Sequence, residues 1–198
     1  MVTPVDPTSS TRLLLVRHAE STWNAGRRWQ GQADPPLSAT GRRQAEELAE
    51  AVSAIGVTVL VSSDLRRALD TVGPLARGLQ LPVFVDPAWR ERDIGAWAGH
   101  TREEVRARWP EEYARFRSRD PAVRPGGGES TEEFRRRVLG VACRTVGQYS
   151  GETVLVLTHR GVIRLLAPDR RPEHATPLAI PVDTLGRPAD GRPGPEPL

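Results

Sequence analysis

Apolar residues along the chain fall into short unbroken runs, separated by longer stretches in which they recur every three or four positions. Arg12-Leu-Leu-Leu-Val16, Val57-Thr-Val-Leu-Val61, Leu81 to Val85 and Thr153-Val-Leu-Val-Leu157 have strand length and no alternation, as expected of strands covered on both faces. Between the first two, Ala45, Leu48, Ala49 and Val52 share one helical face behind a capping Ser38, in a helix expected to run to Ile55 and end at Gly56. Another helix opens at Ser62-Ser63-Asp64 and runs to Leu75. Pro110 divides two further helical segments, 101–109 and 111–118. Ser130-Thr-Glu-Glu133 fits a capping box ahead of a long helix to Gln148, Val162 to Leu166 begin another, and residues 177–182 suit an edge strand. The stretch from Arg17 to Pro36 shows no regular pattern.

Strands alternating with helices over one core predict an α/β fold, with a mostly parallel sheet and helices on both faces. The expected organisation is a loose N-terminal arm (1–11), a single domain (12–185) with an inserted cap at about 100–130, and a Pro/Gly-rich tail (186–198).

Composition narrows the class. With 198 residues and 38% hydrophobic content, the chain suffices for one well-formed core. No apolar run approaches the roughly 18 residues of a membrane span. The opening residues lack the basic and apolar regions of a signal peptide, and the one cysteine, Cys143, cannot form an internal disulfide; the cytoplasm is the expected compartment. All 28 basic residues are arginine, yet the net charge is only +3 because acids are interleaved with them, as in Glu132-Glu-Phe-Arg-Arg-Arg137. That interleaving is the signature of solvated helix faces and argues against a nucleic-acid partner.

Open α/β sheets place ligands at the carboxyl ends of their strands. Leaving those ends are Arg17 and His18, then Ser62 and Ser63 with Arg66 and Arg67 one turn on, then Glu91, then His159. Each has an ordinary reading. Arg17 suits a surface ion pair, Glu91 lies between Arg90 and Arg92, His159 suits a bond to nearby backbone, and only one of Arg66 and Arg67 can face inward. Together they suit phosphoryl chemistry. Guanidinium forks match phosphate oxygens, a neutral imidazole attacks phosphorus, and a carboxylic acid protonates a leaving alkoxide. No metal is expected: neither His18 nor His159 has a ligand-spaced companion, and flanking arginines repel cations. Trp29, Trp89, Trp97 and Trp109 are read as packing residues, and His100 and His174 as surface residues.

The string Leu15-Val-Arg-His-Ala-Glu-Ser-Thr-Trp-Asn24 resembles the signature of the histidine phosphatase superfamily, the phosphoglycerate mutase-like family. The likeness continues through Gln30-Gly31, Pro36-Leu37-Ser38 with Gly41 and Gln44-Ala45, Ser62-Ser63-Asp64-Leu65-Arg66-Arg67-Ala68, Arg90-Glu91 with Gly95, Trp97 and Gly99, Gly127-Gly128-Glu129-Ser130, and Thr158-His159 with Gly161-Val-Ile163. It covers roughly residues 12–167. The resemblance implies a three-layer α/β/α sandwich. It also implies that His18 is the nucleophile, that Arg17, Arg67 and His159 hold the phosphoryl group, and that Glu91 is the acid and then the base. Asn24, Gln30 and Gly31 would complete the cradle. The chain departs from the family at Ala19, where Gly is commonest, at Ala98, where Glu is usual, and at Arg160, where Gly is frequent; Arg160 would add an anion contact or narrow the pocket.

The activity implied is a metal-independent, cofactor-free phosphomonoesterase acting on a sugar phosphate or phosphoglycerate-type metabolite through a phosphohistidine; a homodimer is a family-level expectation. The alternatives are a cofactor-dependent phosphoglycerate mutase and a non-catalytic phosphate-binding module. Mutases of the family carry a longer, differently patterned insertion after the Glu motif than Arg102 to Gly128, which favours hydrolysis. Phosphate monoesters demand accelerations up to about 10²¹-fold, and a loose transition state leaves most of that to positioning and electrostatics.

Overall fold

A computed structural model describes residues 11–182. Five strands form one sheet in the order β3-β2-β4-β1-β5: β1 (Arg12–Arg17), β2 (Val59–Ser62), β3 (Val83–Val85), β4 (Thr153–Thr158) and β5 (Pro177–Ile180). All pairings are parallel except that of β5, which runs antiparallel along β1 at the edge. Seven α-helices accompany them among the described residues: α1 (Thr22–Ala25), α2 (Ala39–Val52), α3 (Arg66–Leu79), α4 (Arg102–Arg108), α5 (Pro110–Arg117), α6 (Thr131–Gln148) and α7 (Arg160–Leu166).

The strand side chains alternate between two cores. Leu13, Leu15, Val59, Val61, Val154 and Val156 face α6 and α7, meeting Phe134, Val138, Val141, Val162 and Ile163. Leu14, Val16, Leu60, Leu155 and Leu157 face α2 and α3, meeting Leu48, Val52, Ala68, Val72 and Leu75. Burying each such side chain contributes about 1.5–3 kcal/mol, so both faces must be covered and a three-layer α/β/α sandwich results.

Helix starts follow their caps. Ser38 accepts from Gly41 N at 2.9 Å, and Ser130 and Glu133 form the reciprocal capping box of α6. Several helices differ from expectation: α2 ends at Val52 rather than Ile55, α3 begins at Arg66 rather than at Ser62–Asp64, and α7 begins at Arg160 rather than Val162. The Arg17–Pro36 stretch contains α1, capped by Ser21 and Asn24 in their own box. Helix α3 continues past Leu75 to Leu79, through Pro74. Pro74 is buried beside Leu75, and packing on the sheet outweighs the lost backbone donor. Helices α4 and α5 form the cap, where Val105 and Trp97 pack with Trp29, Trp109, Tyr113 and Phe116. Thr11, expected to belong to a loose arm, is buried and donates to Val146 O and Tyr149 O at the end of α6. Residues 1–10 of the expected arm, the end of the expected domain (183–185) and the tail (186–198) lie outside the described residues.

Candidate functional site

Three strand ends stand side by side because β2, β4 and β1 are neighbours in the sheet. The ladder extends one residue beyond them: His18 N donates to Thr158 O at 2.9 Å, and Ser63 N to Leu157 O at 2.9 Å. This sets His18, Ser63 and His159 at one level. The His18 and His159 rings lie 5.2 Å apart between centroids, and both are buried. His18 Nδ1 is 2.7 Å from Ala19 O; a proton on Nδ1 makes that a hydrogen bond and leaves the Nε2 lone pair free. His159 Nε2 lies 2.9 Å from Ser63 Oγ.

The adjacent arginines of α3 part company. Arg66 is exposed and pairs with Asp70, whereas Arg67 is 1% exposed. Arg67 donates to Ala33 O at 2.6 Å and Gly31 O at 2.7 Å, so the turn after Gln30 fixes the guanidinium plane. Two donations leave three of its five N–H groups, and its Nε has no protein partner. Arg17 Nε and His159 Nδ1 likewise lack one. Buried donors are normally paired, so two unpartnered guanidinium Nε groups, on Arg17 and Arg67 in one cavity, suit an anion.

Charge is concentrated here against the cost of burial. Burial pulls Arg17 down to about 10, with Arg160 adding to the shift; burial also pulls Arg67 down to about 10, opposed by Glu91. Both stay charged at neutral pH. Burial, reinforced by Arg67, pushes His18 and His159 well below the usual histidine value, so both imidazoles are neutral.

Glu91 is held from three sides. Its Oε1 accepts from Arg92 N at 2.8 Å, and its Oε2 from Gly161 N at 2.9 Å. A Cβ at position 161 would overlap Oε1, so this approach of α7 to the carboxylate requires glycine. From below, Arg137 of α6 grips Glu129 through Nε at 2.9 Å and through its terminal nitrogen at 2.7 Å. The same guanidinium donates to the carbonyls of Ala88, Arg90 and Glu91. One side chain thus carries the backbone of the whole loop that presents Glu91.

Arg17, His18, Asn24, Gln30, Gly31, Arg67, Glu91 and Arg160 all line one cavity of about 370 Å³. His159 does not line it; it lies fully buried beside His18. Among the described residues no group of His, Cys, Asp or Glu is placed to hold a metal ion, and no helix is long and apolar enough to cross a membrane.

The family model described as histidine phosphatase superfamily (branch 1) matches residues 13–175. The chain belongs to that superfamily. A bifunctional protein of Mycobacterium tuberculosis is 40% identical over 157 residues, 79% of this chain but 43% of the relative; the chain thus spans under half of that relative's length. A metal-independent phosphoserine phosphatase of Arabidopsis thaliana is 38% identical, with 79% of this chain and 67% of the relative covered. Among solved structures, a mycobacterial glucosyl-3-phosphoglycerate phosphatase complexed with VO3 superposes with a TM-score of 0.71 at 36% identity, covering 79% of this chain and 78% of that one.

For this superfamily member, several residues play parts that differ from the sequence reading. His174, read as a surface residue, is half-buried: its Nδ1 is 2.8 Å from His18 O, and its ring stands edge-on to His18 at 5.7 Å. The chain after α7 returns across the end of β1, where Ala175 N donates to Arg17 O, and no local pattern announces that return. Trp89 and Trp97 are buried packing residues as expected, but Trp29 also lines the cavity. Ser63 and Arg137 complete the support of His159 and Glu91. Ser63 was legible as a strand-end residue, whereas Arg137 was hidden in a charge run.

Proposed function

We propose that the protein is a phosphomonoesterase that hydrolyses a small phosphorylated metabolite through a phosphohistidine on His18, without a metal. What carries the reading is one juxtaposition: an imidazole with a free Nε2 shares a cavity with Arg17, Arg67 and Glu91.

In the first step the Nε2 lone pair of His18 attacks phosphorus, and the ester P–O bond breaks. Glu91 delivers its proton to the departing alkoxide oxygen. Arg17 and Arg67 stabilise the charge spread over the three remaining oxygens, from positions fixed before the reaction begins, and His159 supports them from its buried place beside His18. In the second step Glu91 takes a proton from water. That water attacks phosphorus, the P–N bond breaks, and inorganic phosphate leaves with His18 neutral again. Asn24, Gln30 and Gly31 shape the cradle, with Arg160 at its edge.

Phosphate release from p-nitrophenyl phosphate tests this, with His18→Ala as control. The expected loss is at least about 10³-fold, the scale of removing a covalent nucleophile. A rapid-quench phosphoprotein that survives base and is lost in acid should be absent from the variant. Equal rates in parent and variant would overturn the mechanism. Isomerisation of 3-phosphoglycerate primed by bisphosphoglycerate, with little free phosphate, would replace hydrolysis by a mutase reaction.

A further inference from the structure

Eight arginines line the cavity against a single carboxylate, Glu91. Four of the eight have work already. Arg17 and Arg67 face the phosphoryl group in the reading above. Arg28 is neutralised by Glu104 at 3.1 Å, and Arg92 is spent on the carbonyls of Glu129 and Val123. The other four, Arg102, Arg117, Arg160 and Arg164, are exposed and have no acid or carbonyl partner among the described residues.

Their placement is not that of one solvated helix face. Arg102 opens α4 and Arg117 closes α5, the two ends of the cap. Arg160 and Arg164 lie one turn apart on α7, the helix that begins beside His159. Segments far apart in sequence therefore bring unneutralised guanidiniums to the same opening. A phosphoryl dianion balances Arg17 and Arg67 and leaves these four uncompensated. Covering them with an uncharged substrate body would strip water from four cations and return nothing, whereas an anionic body supplies the missing acceptors.

We propose that the substrate is a phosphomonoester bearing a second anionic group, carboxylate or phosphate, which Arg102, Arg117, Arg160 and Arg164 receive. This rests on the phosphatase reading and specifies its substrate class. Trp29, Tyr113 and Phe116 line the same cavity and offer apolar surface to the carbon skeleton joining the two anions.

Three aryl phosphates that share a ring test the idea: 4-carbamoylphenyl phosphate, its isostere 4-carboxyphenyl phosphate, and 1,4-phenylene bisphosphate. At about 20 mM salt, kcat/KM for at least one anionic compound should exceed that of the carboxamide by about 10-fold or more, and the advantage should shrink in about 0.5 M salt. Whichever anionic compound leads names the second group. The ratio should collapse toward one in Arg102→Ala/Arg117→Ala/Arg164→Ala, with an unchanged circular dichroism spectrum verifying the fold. Equal kcat/KM for all three compounds, or a ratio that survives the triple substitution, would overturn this inference and leave the phosphatase reading standing. Failure to release phosphate from any of them would instead strike the phosphatase reading.

Discussion

The floor of the cavity and its cap both present arginines, but in opposite states. On the floor, Arg67 is 1% exposed, tied by two carbonyls and lowered by burial to about 10. On the cap, Arg102 and Arg117 are exposed and untied. A guanidinium held by main chain is preorganised for one geometry, whereas one on a long exposed stem adapts to whatever arrives. The difference suggests a division of labour: chemistry at the strand ends, selection on the inserted helices.

Substitution of the floor should have the largest effect. Arg67→Ala is expected to lower kcat/KM for phosphate release by about 10³-fold, while Arg67→Lys recovers only a part because charge without the fork does not match the phosphoryl oxygens. Comparable losses from Arg102→Ala on an uncharged aryl phosphate would erase the contrast between the two regions. Next come the supports of Glu91. Gly161→Ala and Arg137→Ala should each lower kcat about 10–100-fold with little change in KM, since both displace Glu91, the proposed acid, while leaving Arg17 and Arg67 in place. The pH–rate profile of Arg137→Ala should change shape as well, which general destabilisation would not produce.

A smaller effect follows from the buried imidazoles. His18 and His159 have folded-state values lowered by burial from the unfolded value near 6.5. Between those values the unfolded chain binds more protons, so stability rises with pH through that window and is lost as pH falls below about 6.5. Melting temperature should therefore drop between pH 7 and pH 5, less steeply in His159→Asn. A flat profile would show that these rings titrate normally. The smallest effect belongs to Arg66→Ala, one residue from Arg67. Its exposed pair with Asp70 is worth about 0.3–0.5 kcal/mol, so stability should shift by no more and activity not at all.

Much of this architecture was legible because local and global signals agree. The unbroken apolar runs became the three central strands and the edge strand β3, and Ser130 with Glu133 became the cap of α6 at the expected place. Listing the residues that leave the strands was enough to collect His18, Arg67 and Glu91 before any contact was known. What escaped depends on distant partners. Helix α1 is four residues long, too short for periodicity, and exists because Ser21 and Asn24 cap it. Leu79 as the end of α3 is decided by packing across Pro74. His174 reaches His18 only because β5 turns back along β1. Which of Arg66 and Arg67 faces inward is likewise decided by the Gly31 and Ala33 carbonyls, 36 and 34 residues upstream of Arg67.

The loop after Glu91 and the Pro125–Gly127 turn meet main chain to main chain. A Cβ on Gly95 would overlap Gly126 O, and one on Gly128 would lie 2.5 Å from Asp93 O. Side chains fasten the same joint: Arg92 donates across it to Val123 O and Glu129 O, and Glu112 of α5 accepts from Gly126 N at 2.6 Å, so a replaced cap keeps the seam only where it keeps that carboxylate. Grafted or randomised caps are a route to new selectivities on this scaffold, and the glycines, Arg92 and Glu112 are the positions such libraries must leave alone.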